Sequence, residues 1–306
     1  MHRGQLLCAK KILGALMLLT LVAGCDNSTS VPTHSTPPLI LSVSSPYRMV
    51  EFDADSLLVS DARTNAVHFI DKSSLMPTKS LRVSGRPSGI AHFSNLLYVG
   101  NLTTGSVDVV DTDGTFQFHL GGSQGLFQQV NDISIDQSAG LVYVLDSQAA
   151  LIRTYNANDG SDTGLVIGSG VLARPTALEV DQIDGRILVS DYGASPTPIP
   201  QIRVFNSDGS GATADPILGS TVGFSMPQGL FVDSDQNLFL AEARTSEVRI
   251  TDSGYNYVQS VGSRGVGEGE LYYPLDVFVD DSTKDVFVTD NQNRRITVYL
   301  GGGTVP

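Results

Sequence analysis

Basic residues are scarce in this 306-residue chain: 19 Lys and Arg stand against 32 Asp and Glu, a formal net charge of −13. A surface of that sign repels nucleic acid and anionic headgroups, so no nucleic-acid partner is expected. Histidine is scarce as well. The five are His2, His34, His68, His92 and His119, and none lies beyond residue 119. That works against a metal or acid–base centre built from histidines converging from all parts of the chain. No CxxCH haem attachment and no GxSxG nucleophile elbow occurs. The glycine-rich segments at 262–270 (GSRGVGEGE) and at 301–303 precede no helical pattern, which excludes a dinucleotide-type phosphate loop. After residue 38 no 3.6-residue periodicity is sustained, so helix is not expected.

Cysteine is limited to Cys8 and Cys25, and both belong to the amino-terminal region. Arg3, Lys10 and Lys11 precede an apolar run from Ile12 to Ala23 that is too short to span a bilayer comfortably. The run ends in Val22-Ala23-Gly24-Cys25, which resembles the bacterial lipobox. That resemblance implies removal of residues 1–24 as a signal peptide and lipidation of Cys25. Two buried acyl chains suffice for stable attachment, so a membrane-anchored protein of the bacterial cell envelope is expected. Cleavage would remove three basic residues, leaving 19 − 3 = 16 against 32 acids and a charge near −16. It would also remove Cys8 and with it any internal disulfide. Residues 25–38 are polar and proline-rich and read as a flexible tether.

The body of the chain, 39–306, is repetitive. LLVSD, LYVGN, VYVLD, ILVSD, LFLAE and VFVTD end at Asp61, Asn101, Asp146, Asp191, Glu242 and Asp290, spaced by 40, 45, 45, 51 and 48 residues. The positions four and two before each endpoint are aliphatic in all six copies. About fifteen residues upstream of each stands a turn-opening residue: Pro46, Pro87, Val130, Pro175, Pro227 or Pro274. Each repeat thus supplies three strands, with a fourth from stretches such as Tyr257 to Val261. Four strands per repeat of about 45 residues define a propeller blade. The expected fold is all-β: a six-bladed β-propeller of four-stranded blades. The sixth repeat ends after its third strand, so Leu39 to Val43 is expected to complete the last blade and close the ring.

The sixth repeat, YPLDVFVDDSTKDVFVTDNQNRRITVYL, resembles an NHL repeat, and the fifth is similar with Glu242 in place of aspartate. SLLVSDARTNAVHFID and NLLYVGNLTTGSVDVVD lean toward the related YVTN type. The resemblance spans residues 39–300 and implies the propeller fold, whereas function is left open, because this architecture hosts binders and enzymes alike.

The six endpoint residues fall on one face. They can form a calcium site or a receptor for cations, or each can cap its own turn by accepting backbone N–H bonds. Two residues after the turn-opener come Arg48, Gly89, Asp132, Ala177, Gly229 and Asp276. Arg48, Asp132 and Asp276 can bind a polar ligand at that mouth or pair with one another. Asn131 lies beside them, and Tyr192 opens a five-residue extension within 192–201 that can mark a binding surface. The leading expectation is a monomeric, membrane-anchored binding or scaffold protein presenting one face to a protein, peptide or glycan, without a cofactor. The alternative is a metal-dependent hydrolase or lyase of the lactonase-like kind, which needs Asp132, Asp276, Asn131 or Asn101 to converge on one cation such as Ca2+ or zinc.

Overall fold

The computed structural model describes residues 33–35, 43–196, 199–211 and 223–301. The signal-peptide segment and Cys25 lie outside these residues. Six antiparallel sheets follow one another along the chain. Blade one consists of Pro46–Asp53, Ser56–Asp61, Ala66–Asp71 and Pro77–Arg82. The innermost strands of the other blades are Pro87–Phe93, Val130–Asp136, Pro175–Val180, Pro227–Val232 and Pro274–Val279. Each innermost strand touches those of its two neighbours, and the first touches the sixth, so the ring is closed. The fold is a six-bladed β-propeller. Blade four shows three strands among the described residues.

The repeated aliphatic positions explain why single blades cannot stand alone. Six apolar clusters fill the six seams, one per pair of neighbouring blades. Leu58, Val67 and Phe69 of blade one, for example, meet Ile90, Leu97 and Val99 of blade two. In the seam between blades six and one, Phe287, Ile296 and Val298 meet Leu57, Val59 and Ile70. A fully buried aliphatic side chain contributes roughly 1.5–3 kcal/mol, and every blade has such residues on both faces. Hydroxyl groups add polar stitches between blades: Ser60 Oγ donates to Ser88 O, and Ser88 Oγ donates to Val130 O, each at 2.7 Å.

Closure uses the amino-terminal part of the chain, as expected, but a different piece of it. Thr33–Ser35 pairs antiparallel with Arg295–Leu300 and completes blade six, with Thr33 opposite Leu300 and Ser35 opposite Val298. The expectation placed this strand at Leu39 to Val43. Residues 39–42 lie outside the described residues, and Val43 is a buried, non-strand residue in the seam between blades six and one. The outermost strand of a blade has one face toward solvent, as in Pro77–Arg82, where most residues are exposed. Backbone pairing is therefore enough, and polar Thr33-His34-Ser35 serves in place of the expected aliphatic segment. A chain beginning at Val43 should lose this latch and leave an unpaired edge along Arg295–Leu300. Light scattering after size exclusion should show dimers or larger species for the shortened chain and a monomer for one beginning at Asp26.

One further regularity positions the site. Every innermost strand has a register shift within its first few residues, between Pro46 and Met49, Pro87 and Ile90, Val130 and Asp132, Pro175 and Ala177, Pro227 and Leu230, and Pro274 and Asp276. A β-bulge re-aims the side chains next to it. Here it brings the residue two past the turn-opener to the ring axis.

Candidate functional site

At the axis Arg48 is 2 % exposed and spans the channel. Its Nη1 donates to Leu275 O and its Nη2 to Thr176 O, both at 2.6 Å, and its Nε lies 3.2 Å from Asp132 Oδ2. One guanidinium thus ties blade one to blades six, four and three. The two aspartates also bridge blades. Asp132 accepts from Leu178 N (3.1 Å) in blade four, and Asp276 accepts from Met49 N (2.8 Å) in blade one. Small residues make room for them. A methyl group on Gly229 would overlap the Asp276 carboxyl, and one on Gly89 would come within 2.6 Å of Asp132 backbone. Above this layer, Tyr47 Oη donates to Asn131 Oδ1 (2.8 Å), and Asn131 Nδ2 donates to Thr176 O.

Arg48, Asp132, Asp276 and Asn131, all considered for a ligand site on the endpoint face, are therefore buried and bonded mainly to one another and to backbone. They form a plug across that end of the channel. The six endpoint residues are buried as well and hold the loop entering each blade, and all but Glu242 also bond the hairpin that follows. Asp146 accepts from Gln128 N (2.8 Å), Gln129 N (3.1 Å) and Ala149 N (3.0 Å). Asp191 accepts from Ala173 N, Arg174 N and Gly193 N. Glu242 accepts from Ser225 N and Met226 N, Asp290 from Tyr272 N and the Arg295 guanidinium, and Asn101 Oδ1 from Thr103 N. Asp61 accepts from Ser44 N, Arg63 N and Thr64 N. Burial opposes its charge, but the His68 contact and these N–H bonds outweigh it and hold the carboxyl well below its usual range.

Asn101 sits at its own turn, where its Nδ2 donates to Ser84 O (2.6 Å), rather than at the axis. It does not join Asp132, Asp276 and Asn131. Among the described residues, no group of three or more His, Cys, Asp or Glu is arranged to hold a metal ion. Tyr192 is apart from the axis too. The Arg174 guanidinium lies 4.4 Å from its ring centre, and Arg244 Nη2 donates to its hydroxyl at 3.2 Å.

Beyond the plug, the channel widens into a cavity of about 700 Å³. Its lining runs from Arg48, Asp132 and Asp276 at the inner end to exposed turn residues such as Asp53, Gln137 and Ser234. These turns join first to second strands, so the cavity opens on the face opposite the endpoint ring. Its middle is two-sided in chemistry. Phe52, Phe231 and Phe278 line it from blades one, five and six, with the Phe231 and Phe278 rings packed edge-on at 5.1 Å. Ser134 and Glu179 line it from blades three and four, and His92 from blade two, its ring tilted against Phe52 at 5.1 Å.

Glu179 carries no signal of its own in the sequence, where it lies in the strand PTALEV. Water in the cavity can reach it, but protein surrounds it. Burial above all, then the charges of Asp132 and Asp276, pushes its carboxyl well above the usual range. It accepts a hydrogen bond from Ser134 Oγ at 3.3 Å, and among the described residues no Lys or Arg nitrogen lies within 4 Å of it. Burial also raises Asp132, and raises Asp276 to about 7, with Arg48 acting in the opposite sense. The same burial lowers His92 and keeps it uncharged at neutral pH.

Nine of the lining residues are Asp or Glu and one, Arg48, is Lys or Arg. The rim lysines pair with the rim's own carboxylates, and Lys72 Nζ also lies 5.3 Å from the Phe278 ring centre. Lys72 Nζ bonds Glu51 (2.6 Å) and Asp280 (2.8 Å), and Lys284 Nζ bonds Asp235 (2.9 Å) and Asp281 (3.0 Å). A second set of turn-capping aspartates surrounds this rim. Asp136 accepts from Ser138 N and Ala139 N, Asp233 from Asp235 N and Asn237 N, and Asp280 from Ser282 N. Their signal was available as the aspartate that recurs at the end of the first strand in blades three to six, in SIDQS, EVDQI, FVDSD and FVDDS.

No known protein family matches the sequence, and no curated protein does. Solved structures do match in fold. A Bacteroides thetaiotaomicron structural genomics protein of unknown function aligns over 88% of this chain and 73% of its own, at 15% identity and a TM-score of 0.66. An auxiliary nutrient binding protein from Bacteroides ovatus aligns over 89% and 76%, at 11% identity and a TM-score of 0.66. Hydrazine synthase from Kuenenia stuttgartiensis aligns over 92% and 100%, at 14% identity and a TM-score of 0.63. At such identities the likeness concerns the fold: this chain is of the six-bladed β-propeller class.

Proposed function

We propose that this protein is a cell-envelope binding protein of NHL-like propeller type, held on a membrane by a lipid on Cys25, which takes its ligand through the channel mouth opposite the endpoint ring. The observation that carries this reading is the open cavity of about 700 Å³, a volume typical of small-molecule and peptide sites. It is closed at one end by the Arg48 plug, so it is a pocket rather than a passage. The description of the Bacteroides ovatus structure as nutrient binding agrees in kind. Protein, peptide and glycan partners all remain within this reading, because the rim offers both carboxylates and amides.

Two measurements test it. Wild-type protein expressed in a diderm host should partition into the detergent phase and carry acyl mass on Cys25, whereas Cys25→Ser should remain aqueous. A thermal-shift screen of amines, neutral sugars, amino acids and short peptides should find at least one class that stabilises the wild type and does not stabilise Val50→Trp, which fills the channel. Stabilisation by no class, or equal stabilisation of both proteins, would refute the binding role.

A further inference from the structure

The inner half of the cavity does not balance its charge. Arg48 supplies one positive charge, set beside Asp132 and Asp276, while Glu179 lines the same open cavity without a cation of its own. A buried carboxylate is costly unless a cation or a proton accompanies it. Asp132 has Arg48 beside it, and Asp276 has the Met49 N–H. Glu179 has a single hydroxyl donor and open space. Across that space stand the three phenylalanines, and aromatic faces attract cations while they also pack against apolar groups.

We propose that the cavity binds a small organic cation, an ammonium group on an apolar or aromatic body, with Glu179 as its counter-ion and Phe52, Phe231 and Phe278 as its apolar wall. This rests on the reading of the chain as a ligand binder and names the ligand's chemistry. The cation enters past a rim whose lysines are paired with carboxylates, and because Lys72 Nζ already stands 5.3 Å over the Phe278 ring, the ammonium is taken by Glu179 rather than by that ring. The groups facing Glu179 are Asp132, Asp276 and Asp181, Arg48 at the plug and Ser134 across the seam, with neutral His92 on the cavity wall. The acidic neighbours favour a cation, and a cation that arrives replaces the proton on Glu179. Binding therefore releases protons and tightens as pH rises.

The test uses the full-length protein and calorimetric titration with four probes: 2-phenylethylammonium, choline, 2-phenylethanol and 3-phenylpropanoate. The two cations should bind, with affinity rising at least tenfold from pH 5 to pH 8, while the alcohol and the carboxylate should not. Glu179→Gln should weaken 2-phenylethylammonium at least tenfold while the variant remains folded, and Phe231→Ala should weaken it less. Equal binding of the neutral alcohol, unchanged affinity in Glu179→Gln, or displacement of the probe by Ca2+ alone at Glu179 would overturn the proposal. A sugar or neutral peptide that binds the wild type and not Val50→Trp, with neither cation binding, would also overturn it and would leave the binding role standing.

Discussion

Replacing Arg48 with methionine should destabilise the protein by about 3–5 kcal/mol, the range found when one partner of a buried ion pair is removed. For a domain of this size each kcal/mol is worth about 2–4 °C of melting temperature, so the loss should exceed any other single change at the axis. Three effects add. Asp132 and Asp276 are left buried without a cation, Leu275 O and Thr176 O lose their donor, and the contacts from blade one to blades three, four and six disappear together. Because burial has already raised both carboxyl groups, acid can neutralise them in the variant. Thermal melts should therefore show a smaller deficit at pH 5 than at pH 8. Arg48→Lys should fall between, since an ammonium keeps the charge but has no planar fork to reach three acceptors in different directions. A deficit of Arg48→Met that is independent of pH would mean that packing rather than charge accounts for the plug.

Glu179→Gln should do the opposite and stabilise the protein at high pH. The folded state holds a proton on Glu179 more tightly than the unfolded chain does, whose value is near 4.5. Stability from that proton is complete below the unfolded value and disappears as pH rises through the raised folded value. The amide has no charge to bury and can still accept from Ser134 Oγ. The variant should gain about 1–3 kcal/mol at pH 8, the cost of an uncompensated buried group, and little at pH 4. Its stability should fall less between pH 5 and pH 8 than that of the wild type, though Asp132 and Asp276 keep some slope. Denaturant melts at four pH values decide this, and parallel curves for the two proteins would show that Glu179 carries no buried charge.

The ring was legible in the sequence because its cause is periodic. Leu57, Leu97, Val142, Ile187, Leu238 and Val286 fill equivalent positions in six seams, and six repetitions of one apolar pattern are hard to mistake. The closing strand was legible in kind and not in place, since an outer-rim strand needs backbone pairing alone and Thr33-His34-Ser35 has no apolar signature. The cavity was hidden for a different reason. Its lining comes from six strands about 45 residues apart, and which residues face inward depends on a bulge in each that no residue type announces. Arg48, Asp132 and Asp276 were visible as departures from glycine and alanine at one repeat position, but whether they faced a ligand or each other was a matter of three-dimensional distance. Glu179 lies one alternation beyond that position, where the other blades have Val50, Ala91, Ser134, Phe231 and Phe278, and without the bulge its direction could not be assigned.

The position of the latch would also set how high a disc anchored through Cys25 rides. Eight residue steps lead from Cys25 to Thr33, and at about 3.3–3.6 Å per step they reach no farther than about 29 Å. With acyl chains on Cys25, as proposed above, the rim of blade six would stay within that reach of the bilayer. Both open faces would then look sideways, along the membrane plane, where a solute diffusing through a narrow compartment meets them.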